Sequence, residues 1–184
     1  MSDNTSKIWI ITGPFQVGKT YFCHNLVNEA QRRGYKLAGV ICPPVFEEQN
    51  KTAITIEDLK SHQRKTLATK RTTETEGLLT DHWVFDEEVL LWGNRVLGET
   101  IGCDLLLIDE LGPLEFNRGQ GWLNGLQAID NGDYKIAVVV IRPVLVETAQ
   151  KRWPNAIVID FQARLKLEET RYLVEKVLLP IEQK

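Results

Sequence analysis

Eight consecutive residues, Gly13 to Thr20, match the pattern G-x-x-x-x-G-K-[ST] at every defined position. A β-branched apolar run precedes them at residues 7–12, and a helical apolar pattern runs from Lys19 to about Arg33. In a strand, loop and helix of this order, the loop N–H groups and the N-terminus of the helix face a bound anion. The segment therefore predicts a binding site for the phosphates of a nucleoside triphosphate.

The residue types in this loop predict separate tasks. Lys19 is expected to reach the β- and γ-phosphates and to act in catalysis, while the Thr20 hydroxyl is expected to ligate Mg²⁺. The other positions contribute through their backbone. The predicted nucleotide-binding residues are Gly13, Pro14, Phe15, Gln16, Val17, Gly18, Lys19 and Thr20.

A second apolar run, Leu105 to Ile108, ends in two carboxylates, Asp109 and Glu110. Such a run is typical of a strand buried on both faces, and α/β proteins bind ligands at the carboxyl ends of these strands. Asp109 is therefore expected to hold Mg²⁺ together with Thr20. Glu110 is expected to orient or deprotonate a water in line with the γ-phosphate, which favours hydrolysis over phosphate binding alone.

The rest of the chain predicts one α/β domain over residues 1–184. Strand-like runs at 36–42, 136–141 and 156–159 alternate with helical stretches, which is typical of an open, mostly parallel sheet with helices on its faces. Residues of about 45–85 lack this alternation. They predict a β-rich insertion laid against the nucleotide-binding part, within which 53–59 and 64–69 pair as a hairpin.

Composition narrows the expected partners. The net charge is −3 and the isoelectric point about 5.7, so there is no basic footprint for nucleic acid and none is expected as a partner. No apolar run approaches the roughly 20 residues of a membrane span, and the first residues are polar, so a cytoplasmic location without membrane contact is expected. The three cysteines have no metal-ligand spacing, and core packing is expected for them.

The stretch Asp109 to Glu115, together with the loop at Gly13–Thr20, resembles the small P-loop nucleoside-triphosphatase family of the cancer-related type. The resemblance extends over roughly residues 7–160 and points to a bacterial branch. It implies a RecA-like sheet, Mg²⁺-dependent hydrolysis of ATP, GTP and other nucleotides, slow turnover and broad base specificity. The further matching segments are 43–47, 56–59, 83–86, 91–94, 118–122 and 140–143.

One departure from this family concerns positive charge. Other members tend to carry arginine-bearing sequence after the second strand, whereas Pro43 to Asn50 contains no arginine. A role of those arginines at the phosphates is therefore not transferred to this chain.

Several further residues are candidates, each with an alternative. Glu115 is either a carboxylate behind the metal ligands or a surface residue after a Gly-Pro turn. Arg142 and Arg118 either bring positive charge to the γ-phosphate or pair structurally with carboxylates, and Arg142 is favoured because it follows a buried strand. Phe15 and Trp122 either touch the base or belong to the core.

Two other functions use the same motifs. A small-molecule kinase would pass the γ-phosphoryl group to a bound acceptor instead of water. A nucleotide-gated module would use slow hydrolysis as a timer for binding an unknown protein partner. Steady phosphate release without an acceptor separates the first alternative from a hydrolase, and stimulation of turnover by a partner would indicate the second.

Overall fold

The computed structural model describes residues 7–71, 78–79 and 83–179. Its strands are β1 (Lys7–Thr12), β2 (Leu37–Ile41), β3 (Pro44–Glu47), β4 (Asn50–Asp58), β5 (Arg64–Lys70), β6 (Leu78–Leu79), β7 (Trp83–Phe85), β8 (Cys103–Leu111), β9 (Tyr134–Ile141) and β10 (Ile157–Asp160). Its helices are α1 (Lys19–Arg32), α2 (Glu87–Gly98), α3 (Pro113–Arg118), α4 (Leu123–Asn131), α5 (Val146–Arg152) and α6 (Leu167–Leu178), with a 3₁₀ turn at Pro143–Leu145.

All ten strands of the described residues belong to one sheet. Its order is β10-β1-β9-β8-β2-β4-β5-β7-β6, and β3 pairs with β4 outside this path. The five strands from β10 to β2 are parallel to one another. The predicted α/β class with a mostly parallel, RecA-like sheet is therefore confirmed. The carboxyl ends of β1, β9 and β8 meet at one edge, which places the predicted phosphate loop and the two predicted carboxylates close together.

The central strand β8 is buried on both faces, as its composition predicts. Leu105 and Leu107 pack on one face with α1 and α6, while Leu106 and Ile108 pack on the other with α2 and α4. All four side chains are fully buried. Each contributes about 1.5–3 kcal/mol of transfer free energy, so the strand that carries the carboxylates is firmly held.

The region expected to form an insertion is rich in strands, and the predicted hairpin is confirmed as β4 paired antiparallel to β5. The structure shows how this insertion joins the nucleotide-binding part. β4 forms hydrogen bonds with β2 in antiparallel orientation, so the insertion extends the sheet itself. Asp86 caps α2 as a polar residue at this position should, because its carboxylate accepts the N–H of Val89 at 3.0 Å.

Helix α3 was not expected from the sequence, which suggested only a turn after Gly112. Pro113 occupies its first position, where the missing N–H costs no hydrogen bond.

Among the described helices, none combines the length and apolar character that a membrane crossing requires.

Candidate nucleotide-binding site

The loop between β1 and α1 depends on glycine at two positions. Gly13 has φ +135°, and a Cβ there would lie 2.4 Å from the carbonyl oxygen of Phe161. The N–H of Phe161 in turn donates to the Thr12 carbonyl at 2.9 Å, so the segment after β10 closes against the start of the loop. Gly18 has φ +101° and precedes the first turn of α1. Both glycines therefore meet a conformational requirement of the loop.

Lys19 folds back over the loop that precedes it. Its Nζ donates to the carbonyl oxygens of Gly13 at 2.8 Å and of Pro14 at 2.7 Å. Burial lowers the pKa of this ammonium, against the opposing charges of Glu110 and Asp109. The predicted phosphate-binding cation thus lies inside the loop and close to both predicted carboxylates.

Thr20 and Asp109 lie together although they are 89 residues apart in the sequence. The Thr20 hydroxyl donates to Oδ1 of Asp109 at 3.4 Å, and the Cys42 N–H donates to Oδ2 at 3.1 Å. The Asp109 side chain is buried, and this burial raises its pKa to about 7. A cation would offset the cost of a buried carboxylate, and a carboxylate with a hydroxyl is a hard-oxygen donor set. The residues therefore fit Mg²⁺.

Glu110 has an unusual backbone at the end of β8. Its φ is +87°, in the region that favours glycine, and the β8–β9 ladder shifts register between Ile108 and Leu111. A backbone of this kind costs about 1–3 kcal/mol and concentrates at functional sites. Its carboxylate is partly exposed and forms an ion pair with Arg142, which follows β9. The structure thus brings Arg142 to the site and also pairs it with a carboxylate. The two alternatives for Arg142, a charge at the site and a structural ion pair, are therefore compatible.

Arg118 takes a different position. It lies exposed in the last turn of α3, and no hydrogen bond or ion pair joins it to the site within the described part of the chain. The structure therefore favours Arg142 over Arg118 as a neighbour of the carboxylates.

The surface position considered for Glu115 is wrong. The residue is buried, and its two carboxylate oxygens accept the N–H groups of Gly112 at 2.8 Å and Trp122 at 2.9 Å. Burial raises the pKa of this carboxyl, while the two N–H groups oppose that rise. Glu115 thus fastens the segment after β8 to the start of α4. Trp122 belongs to the core and is not available to a base, whereas the Phe15 ring is 74% exposed.

A further lysine near the site was not foreseen. Lys51, on β4, places its Nζ 5.7 Å from the ring centroid of Phe15 and 4.7 Å from that of Trp83. A lysine at the end of an amphipathic strand carries no signal of this placement. The pairing of β4 with β2 and of Lys51 with Phe46 on β3 brings it beside the phosphate loop.

Two solved structures share this fold. A human cancer-related nucleoside triphosphatase superposes with a TM-score of 0.67 at 19% identity, covering 97% of this chain and 100% of that one. THEP1 from the hyperthermophile Aquifex aeolicus gives 0.60 at 21% identity, covering 96% and 99%.

Curated relatives are nucleoside-triphosphatases named THEP1. The protein of Ignicoccus hospitalis is 32% identical over 57% of this chain and 58% of its own length, and that of Methanopyrus kandleri is 25% identical over 92% of both. The chain spans about three fifths of the length of the first curated relatives that it matches. A family model described as "NTPase" matches residues 8–169. Together with the loop at Gly13–Thr20 and the carboxylates at the end of β8, this match places the chain in that NTPase family.

Proposed function

We propose that this chain is a Mg²⁺-dependent nucleoside-triphosphatase that converts ATP, GTP and other nucleoside triphosphates to the diphosphate and phosphate. The observation that carries the proposal is the convergence of Lys19, Thr20, Asp109 and Glu110 at one edge of the sheet. The relatives named nucleoside-triphosphatase support it.

Phosphate binding would use groups that the loop already presents. The Lys19 ammonium would exchange its contacts with two loop carbonyls for oxygens of the β- and γ-phosphates. The N-terminus of α1 has no side-chain cap, so its first N–H groups can donate to phosphate. These contacts recognise parts that all nucleoside triphosphates share, which supports broad base specificity.

Thr20 and Asp109 would hold the metal ion. When bound, Mg²⁺ supplies positive charge that neutralises the β- and γ-phosphate oxygens. Asp109 must be ionised to serve, and its buried position makes that ionisation costly without a cation. The Cys42 N–H on Oδ2 fixes the orientation of the carboxylate.

Glu110 would act on the attacking water. Its carboxylate accepts a proton while the water oxygen forms a bond to the γ-phosphorus and the bond from that phosphorus to the β–γ bridging oxygen breaks. The strained backbone at Glu110 and the ion pair with Arg142 fix the carboxylate at the edge of the site. Arg142 also brings a guanidinium close to the developing negative charge.

The partners expected beyond the nucleotide stay predictions. A net charge of −3 supports a small-molecule substrate over nucleic acid. We also propose a cytoplasmic location, a protein partner and a single domain over residues 1–184.

The test is single-turnover phosphate release without an acceptor, measured beside an independent binding isotherm. Lys19→Ala should weaken binding and turnover together, whereas Glu110→Gln should bind normally and hydrolyse about 10²–10⁴-fold more slowly. Asp109→Asn should fall between them and recover partly at high Mg²⁺. Glu147→Gln, an exposed carboxylate on α5, is the matched control. A parent protein that releases phosphate only with an added acceptor would be a kinase, and a Glu110→Gln variant as active as the parent would require another base.

A further inference from the structure

Lys51 is a lysine of the insertion held beside the phosphate loop. It is the second residue of β4, in the hairpin with β3. Its ammonium lies within about 6 Å of the faces of Phe15 and Trp83, the range of cation–π attraction. Phe15 belongs to the loop itself, so the two rings position the ammonium at the wall of the candidate site.

The charge on Lys51 lacks the usual compensation. Its side chain is half-buried, and no described carboxylate forms an ion pair with it and no described group accepts a hydrogen bond from it. Burial lowers the pKa of the ammonium, and Glu110 and Asp109 are the main charges that oppose this. A half-buried cation whose donors have no protein acceptor is suited to an anionic ligand.

The other two cations of the site are already engaged. Lys19 donates to two carbonyls of the loop, and Arg142 is paired with Glu110. Lys51 alone among these three is held by aromatic faces, which position a charge without neutralising it.

We propose that Lys51 binds an oxygen of the terminal phosphate of the nucleoside triphosphate, and that Phe15 and Trp83 position it for this contact. This inference rests on the proposed function. The insertion then contributes a catalytic residue, because an ammonium on the γ-phosphate stabilises the charge that develops there as the β–γ bond breaks. Pro43–Asn50 contains no arginine, and Lys51 supplies a positive charge from the very next position.

The contact predicts discrimination between triphosphate and diphosphate. Dissociation constants for a non-hydrolysable ATP analogue and for ADP, both with Mg²⁺, are measured by calorimetry for the parent, Lys51→Gln and Lys51→Arg. Lys51→Gln should weaken the analogue about tenfold to a hundredfold more than ADP, as expected for a lost hydrogen bond between charged groups. Its kcat should fall by about a hundredfold, and Lys51→Arg should restore most of both.

The chain offers a matched control for this substitution. Lys65, also in the insertion, lies 4.9 Å over the ring of Trp92. Lys65→Gln removes a lysine from the same kind of contact and should leave the ratio of ADP to analogue affinity and the kcat as in the parent. Trp83→Leu keeps the ammonium but removes one positioning face, so it should reduce discrimination less than Lys51→Gln does.

Two results would overturn the proposal. One is equal weakening of ADP and the analogue in Lys51→Gln at an unchanged melting temperature, which would assign the lysine to the loop and not to the terminal phosphate. The other is a Lys51→Gln variant that behaves like Lys65→Gln. Failure of the proposed function is distinguishable, because it would abolish phosphate release in the parent while the two binding constants remain measurable.

Discussion

The buried carboxylate of Asp109 should make the stability of the metal-free protein depend on pH. Burial is the main cause that raises its pKa from an ordinary 3.8 to about 7. Between these values the folded chain holds a proton that the unfolded chain has released. Raising the pH therefore lowers the free energy of unfolding, and this decrease is complete only above pH 7. Asp109→Asn removes this titration while it keeps the size of the side chain.

The magnitude follows from the two pKa values. Between pH 5 and pH 8, the free energy of unfolding of the parent should fall by about 2.5 kcal/mol relative to that of Asp109→Asn. Urea denaturation of both proteins in EDTA over this range measures the difference. Asp160→Asn, at the exposed carboxyl end of β10, is the control and should run parallel to the parent.

Ligand binding provides a second check on the same carboxylate. Mg²⁺ with a non-hydrolysable triphosphate should flatten the pH dependence, because the ion keeps Asp109 ionised in the folded state. A difference between parent and Asp109→Asn that stays constant from pH 5 to 8 in EDTA would refute the reasoning. It would mean that water reaches this carboxylate in solution.

Three further outcomes are expected. Glu115→Gln should lower the free energy of unfolding by about 2 kcal/mol, because the amide oxygen accepts one of the two N–H groups and the amide NH₂ faces the other. Glu169 is exposed and accepts a single N–H, so Glu169→Gln should change the free energy of unfolding little. Gly39→Ala should lower the free energy of unfolding, measured by urea denaturation, by more than about 3 kcal/mol, since its Cβ would lie 1.9 Å from a carbonyl oxygen of β8. Gly34 has open space around it, so Gly34→Ala should lower it only by the roughly 1–2 kcal/mol that a positive φ costs alanine. Turnover constants for ATP and GTP should agree within about tenfold, or about 1.4 kcal/mol.

Each of these outcomes has a clear contradiction. Equal losses in the two glutamine variants would show that the buried carboxylate is no more important than an exposed helix cap. Equal losses in the two alanine variants would show that β2 and β8 can separate at little cost. A preference of several hundredfold for one base would indicate a dedicated base pocket.

Local sequence was sufficient for the parts of the site that depend on local geometry. Gly13 and Gly18 indicate the loop, because only a few backbone conformations can surround a phosphate. Asp109 can be recognised in the sequence as a carboxylate that follows a fully apolar run. The parallel order of the sheet then brings Thr20 to Asp109 without further information.

The rest depended on long-range pairing that no local pattern encodes. The strand alternation of residues 53–59 predicts a hairpin, but it does not predict that β4 will pair with β2 and β3, and the position of Lys51 depends on both pairings. Glu115 resembles a surface residue in the sequence. Its two hydrogen-bond donors are the backbone N–H groups of Gly112 and Trp122, and backbone groups cannot be recognised from residue type. Pairing of Arg142 with a carboxylate stays one of two alternatives at the level of sequence, because its partner Glu110 lies 32 residues away at the end of another strand.

The position of β1 in the sheet has a consequence for biosynthesis. β1 is synthesised before both of its neighbours, β9 and β10, and before Phe161, which closes the loop. At about 5–20 residues per second, several seconds of translation separate the phosphate loop from the strands that support it. Until then β1 lacks the strands that cover its apolar side chains and pair with its backbone groups. A nucleotide bound at the proposed site would therefore assist only the last stage of folding, after nearly the whole described chain has left the ribosome.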